Sequence, residues 1–181
     1  MTENTGLEKY KKYFIENEIW GMVLLGAFQR SKIYKNGIQE KDKKEFKSEL
    51  NKHIQNLVEK YYINGTDEGQ HVKNIEDLCR WASDNYGKKI LKDGRLRIGT
   101  GQKILNLYLK YLWCLNKVAL PPHCPLDRSI IKEVDSKSET NWTELDDIDE
   151  YKKIIRAVKK KANPKSLSEW ELEIYEKNRN K

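Results

Sequence analysis

Between Arg97 and Asp127 the chain gathers most of the residues able to do chemistry. Gly99-Thr100-Gly101 stands directly before a long apolar stretch from Ile104 to Leu115. Glycines at a helix start leave the unpaired backbone N–H groups of the first turn approachable, and phosphate is the anion that suits such a corner. Lys103 follows in the first turn, where the helix dipole does not favour a cation. Asp127 comes two residues after Pro125 and directly before Arg128-Ser129-Ile130-Ile131, the position and residue type of an N-cap. His123 and Cys124 lie side by side in the proline-stiffened loop between. Neighbouring positions do not make side chains converge, so loop packing accounts for that pair better than a thiol nucleophile does.

The charge distribution points to a partner. The formal net charge is +7. Lys88, Lys89, Lys92, Arg95, Arg97, Lys103, Lys110 and Lys117 stand against the single acid Asp93, so this one window carries the excess. A basic segment around a glycine corner neutralises phosphates and releases their counterions, which makes nucleic acid the first partner to test. The cysteines, Cys79, Cys114 and Cys124, are odd in number and widely spaced, as reduced thiols are. A zinc site from Cys114, His123, Cys124 and His71 lacks C-x-x-C spacing, and three thiolates are too few for an iron–sulfur cluster. No metal and no cofactor are expected.

The elements that must position these residues read as helices. Apolar positions cluster from Leu7 to Phe28, then at Leu50, Ile54, Leu57, Val58 and Tyr61, and again at Ile75, Leu78, Cys79, Ala82 and Tyr86. Lys35-Asn36-Gly37 and Asn64-Gly65-Thr66-Asp67 break the runs, and Gly87 supplies a stop. From Ile104 to Leu115 apolar residues cover most of the circumference, leaving a narrow polar stripe of Lys103, Asn106, Lys110 and Lys117, so this helix is expected to be central. Ile148, Tyr151, Ile154, Ile155 and Val158 mark a further helix that Asn163-Pro164 ends, and Ser166-Leu167-Ser168-Glu169 is a capping box opening a last one. No strand alternation and no internal repeat is present. The expected fold is an all-α single domain over residues 1–181.

Ile19 to Phe28 is too short to span a bilayer and follows a charged stretch, so a cytoplasmic monomer without a membrane partner is expected. Lys41 to Lys47 and Lys177 to Lys181 are expected at the surface.

Gly99-Thr100-Gly101-Gln102-Lys103 before an apolar helix, followed by Cys124-Pro125-Leu126-Asp127 before another, resembles the helix-hairpin-helix DNA glycosylases. The resemblance covers Arg97 to Val134 and departs from the family at Ile98, where proline is common. It implies duplex DNA as partner, with Arg97, Gly99, Thr100, Gly101 and Gln102 at the phosphate backbone. It also implies Lys103 as the amine of the bifunctional branch and Asp127 as the catalytic carboxylate of a Pro-x-Asp element. Cleaving an N-glycosidic bond builds positive charge on the sugar, which a held carboxylate stabilises, and an attacking amine must first be neutral. The flipped base would enter an aromatic cleft drawn from Trp20, Trp81, Tyr108, Tyr111 and Trp113. Two other classes fit the same residues. One is a DNA-binding module without the chemistry; the other is a helical component of a protein assembly, with Glu144 to Glu150 as a second surface or simply as helix-start acids.

Overall fold

A computed structural model describes residues 4–179, and its regular structure is helical. The helices are α1 (Asn4–Phe28), α2 (Glu40–Tyr61), α3 (Glu68–Tyr86), α4 (Ile98–Cys114), α5 (Arg128–Val134), α6 (Ile148–Ala162) and α7 (Leu167–Arg179). A short 3₁₀ turn, Lys92–Gly94, precedes α4, and Tyr34 and Leu91 form an isolated antiparallel bridge; no strand occurs among the described residues.

Local chemistry explains where the helices start and stop. Phe46, Leu50, Ile54 and Val58 recur every fourth residue and form the buried stripe of α2. Burying each fully stabilises the fold by about 1.5–3 kcal/mol before entropy is counted. Asp67 caps α3 by accepting from Gln70 N at 2.8 Å. Asp147 caps α6 through Asp149 N and Glu150 N, and the acids of its first turn and Lys159, Lys160 and Lys161 of its last complement the helix dipole. At α7 the capping box closes both ways: Ser166 N donates to Glu169 Oε2 and Glu169 N donates to Ser166 Oγ, each at 3.2 Å. Gly87 does end α3, but for a different reason from the one its residue type suggests. Its backbone stays right-handed, and a Cβ there would lie 2.1 Å from the carbonyl oxygen of Gly94.

α4 runs through the middle, with 12 of its 17 residues buried. α1 and α3 pack on one side of it, and α6 on another. Most of its polar stripe is enclosed as well: Lys103 and Asn106 are buried, and Lys110 forms a largely buried ion pair with Glu171 of α7 at 2.7 Å, whereas Lys117, read from the sequence as part of that stripe, lies beyond the helix end and is exposed. The C-terminal third of the chain is therefore a cover over the polar side of a helix whose apolar sides are already packed.

Candidate functional site

Two amides on α4 hold the 121–127 loop in place. The Gln102 side chain pairs with the backbone of Leu126 in both directions, Nε2 donating to the carbonyl at 2.9 Å and Oε1 accepting from the N–H at 3.1 Å. Asn106 Nδ2 donates to Cys124 O at 3.1 Å. The loop so fixed delivers Asp127 to Lys103, with Oδ2 at 3.0 Å from Nζ. The other oxygen of the same carboxylate caps α5, accepting from Ser129 N and Ile130 N at 2.9 and 3.1 Å. Burial pushes the Asp127 carboxyl up, but the Lys103 charge and the bonds from Ser129, Lys103 and Ile130 outweigh it and hold it below its ordinary value. The Lys103 side chain is 9% exposed against 31% for Asp127, and its ammonium lies 5.9 Å from the ring centroid of Trp142.

The glycines that precede the pair are closed off. Gly99 to Gln102 are all buried in the first turns of α4. Gly99 N donates to Leu145 O at 2.8 Å, and a Cβ on Gly99 would fall 1.7 Å from Trp142 O. Gly101 N donates to Arg97 O, and a Cβ there would fall 2.2 Å from Cys79 Sγ. These positions let α3 and the 142–145 segment press onto α4, so the open corner expected at the helix start is occupied by the protein itself. Thr100 is buried, with its hydroxyl donating to Ser31 Oγ at 3.3 Å, and it forms part of the wall of the larger of two cavities beside the corner.

Beside this closed corner lies a groove. A cavity of about 520 Å³ and a second of about 180 Å³ share Arg30, Asn141 and Thr143 in their walls. Leu96 is buried while Arg95 and Arg97, its neighbours in an extended segment, turn toward the larger cavity. Each already has an acid: Arg95 Nε lies 2.5 Å from Asp146 and an Arg97 nitrogen 2.8 Å from Asp93. Arg30, Lys32 and Lys92 line the larger cavity and Arg128 the smaller; these four are exposed and have no ion-pair partner among the described residues. Lys103 and Asp127 line neither cavity. Trp142 lines the smaller one, and the Lys103 ammonium lies over its ring.

The aromatic residues expected to form a base cleft are used elsewhere. Trp20 and Tyr108 meet edge to face in the core, centroids 6.1 Å apart, and Trp81 stacks on His53 at 4.2 Å. Trp142, which sequence reading did not single out, is the aromatic residue at the site. Cys79 and Cys124 are buried and burial pushes both thiols well up, which disfavours their thiolates; Cys114 is free and exposed, away from both cavities. Among the described residues no set of three His, Cys, Asp or Glu side chains is arranged to hold a metal ion.

A second polar cluster runs under the loop. Tyr62 Oη accepts from Asn74 Nδ2 at 3.0 Å and donates to His71 Nδ1 at 2.8 Å. Tyr151 Oη accepts from Asn106 Nδ2 at 3.3 Å and donates to His123 Nδ1 at 2.8 Å, leaving the Nε2–H of His123 for Glu68 Oε1 at 3.2 Å. The two imidazoles are buried, with ring centroids 4.7 Å apart. Burial lowers the pKa of both, taking His123 down to about 4.

Comparison of the chain with protein-family models, with curated proteins and with solved structures gives no match. The site therefore stands on its own geometry. Among the described residues no helix is long and apolar enough to cross a membrane.

Proposed function

We propose that this protein binds duplex DNA by its phosphate backbone, in the groove between the α1–α2 connection, the segment before α4 and the 140–143 segment. One observation carries the reading: Arg30, Lys32, Lys92 and Arg128, drawn from three separate stretches of sequence, border two adjoining cavities without an ion-pair partner, and with Arg95 and Arg97 they outnumber the two acids in those walls, Asp93 and Glu144. Gathering uncompensated cations costs self-repulsion, which a polyanion relieves. The test is fluorescence anisotropy of a labelled duplex across a salt series. Four phosphate contacts predict a slope of log K against log salt near −3.6, at about −0.9 per contact. Arg30→Ala, at the junction of the two cavities, should flatten that slope by about one. Absence of binding at low salt refutes the proposal.

A second reading, base excision, is favoured by the 3.0 Å approach of Lys103 to Asp127 from positions that the glycosylase resemblance assigns to chemistry. In it the bond between sugar and base breaks with its electron pair leaving on the base, and the Asp127 carboxylate stabilises the sugar cation. Lys103 gives up a proton that neutralises the departing base, and its Nζ lone pair then forms the new bond to the sugar carbon. Trp142 must first move aside. Base release that survives Asp127→Asn, or failure to trap Lys103 on DNA with borohydride, removes this reading and leaves the binding proposal intact.

A further inference from the structure

The first half of α1 is helix with nothing packed on it. No residue from Gly6 to Glu18 is buried; the inward face begins at Ile19 and Trp20 and continues through Val23 and Ala27. Followed back toward the N-terminus, that same face reads Lys9, Lys12 and Glu16, which suits solvent. The opposite face does not suit solvent. Leu7, Tyr10, Phe14, Gly21 and Leu25 recur there at close to heptad spacing, and the four with side chains are each more than half exposed. Tyr13, Ile15 and Met22 flank them and are exposed too. A lone helical arm of this length is marginal in water, and Gly6 within it weakens it further. A contiguous apolar patch of this kind marks a contact surface.

We infer that this face pairs antiparallel with the same face of a second copy of the chain. A two-fold contact requires a surface that complements itself, and this one does. Lys11 and Glu18 lie on one border of the apolar stripe, two turns apart. An antiparallel pairing that sets Lys11 of one copy near Glu18 of the other makes that contact twice; a parallel pairing would set lysine on lysine and glutamate on glutamate. The same register brings Leu7 near Met22 and Leu25, and Tyr10 to Gly21. A Cβ on Gly21 would meet nothing within 4 Å, so the gap that the tyrosine ring needs is present. The Lys11 contact to Glu8 at 2.8 Å is an exposed pair within one helix and gives way easily. The area is also sufficient. Aromatic side chains bury about 150–250 Å² each, so the exposed parts of the three aromatic rings together with the smaller Leu, Ile and Met side chains offer on the order of 600 Å² per copy, and two copies reach the ~1,200 Å² at which specific interfaces begin.

Sedimentation equilibrium of the full chain over a wide concentration range tests the pairing. The expected result is a concentration-dependent species of twice 21.5 kDa. Phe14→Glu should weaken it by roughly a hundredfold or more, because each dimer loses two buried rings, while the melting of the body stays unchanged. Lys11→Glu and Glu18→Lys should each weaken association, and the double exchange should restore it. A single-copy mass at every concentration overturns the inference, as does a dimer indifferent to Phe14→Glu or a double exchange no better than either single one. Capture of monomer on vesicles of anionic phospholipid, through Lys9, Lys11 and Lys12, would overturn it in favour of a membrane surface.

Discussion

The buried histidines set a pH limit on stability that can be worked from the structure. Each imidazole accepts a tyrosine hydroxyl on Nδ1, so protonation removes that bond and places a charge in the core beside the other ring. For His123 the fall from 6.5 to about 4 corresponds to ~3 kcal/mol of folding free energy. The sign follows from proton uptake. Above pH 6.5 the ring is neutral in both states and the stability is fully present. Below it the unfolded chain takes a proton that the folded chain refuses, so stability falls by up to about 1.4 kcal/mol per pH unit for each histidine until the folded His123 protonates near pH 4. Glu171 works in the opposite sense, because burial raises its carboxyl and the folded state takes that proton first. The difference between wild type and His123→Gln isolates the histidine from this background. Urea unfolding at intervals between about pH 7.5 and 4.5 should show wild type losing stability faster than the variant by ~1.4 kcal/mol per pH unit below pH 6.5. Parallel curves across that range would refute the assignment of His123 as a buried neutral ring.

Three further outcomes follow from the packing around α4. Gly99→Ala forces a methyl onto the Trp142 carbonyl and should cost about 2–3 kcal/mol or more in chemical denaturation, whereas an exposed open helical position such as Gly21 should gain from the same change in the monomer. Gln102→Leu leaves both backbone groups of Leu126 unpaired in the interior, and a loss of about 2–4 kcal/mol is expected, with amide exchange at Leu126 accelerated. Asp127→Asn preserves the cap on α5 but strands the Lys103 charge, at a cost of about 2 kcal/mol, below that of a fully buried pair because the carboxylate is 31% exposed. Lys103→Met removes the charge and fills its volume, so it should cost less; the reverse order in thermal melts would show that the pair does not hold the loop.

How much of this was readable in the sequence depended on range. The α2 stripe, the Asp127 cap and the Ser166–Glu169 box are decided by residues within a turn of one another, and periodicity or residue type exposes them. Lys103 meeting Asp127 was legible only through the family resemblance, because the contact depends on Gln102 and Asn106 fixing a loop some twenty residues on. Gly99-Thr100-Gly101 illustrates the ambiguity that remains. A glycine pair before a helix suits a phosphate and suits a close backbone approach equally well, and the segment that fills the space, Trp142 to Leu145, lies more than forty residues away. Arg30 and Lys32 were missed for the same reason. They lie far in sequence from the basic window, and nothing local says that the turn after α1 folds back beside Arg95 and Arg97. The exposed face of α1 was visible as apolar spacing, but exposure is a property of the whole fold.

Trp142 joins the two halves of the site. Its carbonyl lies against Gly99, its indole covers Lys103, and its neighbours Asn141 and Thr143 line both cavities. The segment is therefore at once a wall of the basic groove and the lid over the only lysine–carboxylate pair that the glycosylase resemblance would use. Its stability separates the two functional readings physically. The anchor is the buried Gly99–Leu145 backbone bond together with Arg95 on Asp146, and of these residues Arg95 is the one that lines the groove where phosphates would dock. A phosphate competing with Asp146 for Arg95 would loosen that anchor, so an excising enzyme gains access to Lys103 as DNA binds. A segment that stays closed in the complex, with Lys103 still covered, would remove the excising reading and leave a protein that only grips the backbone.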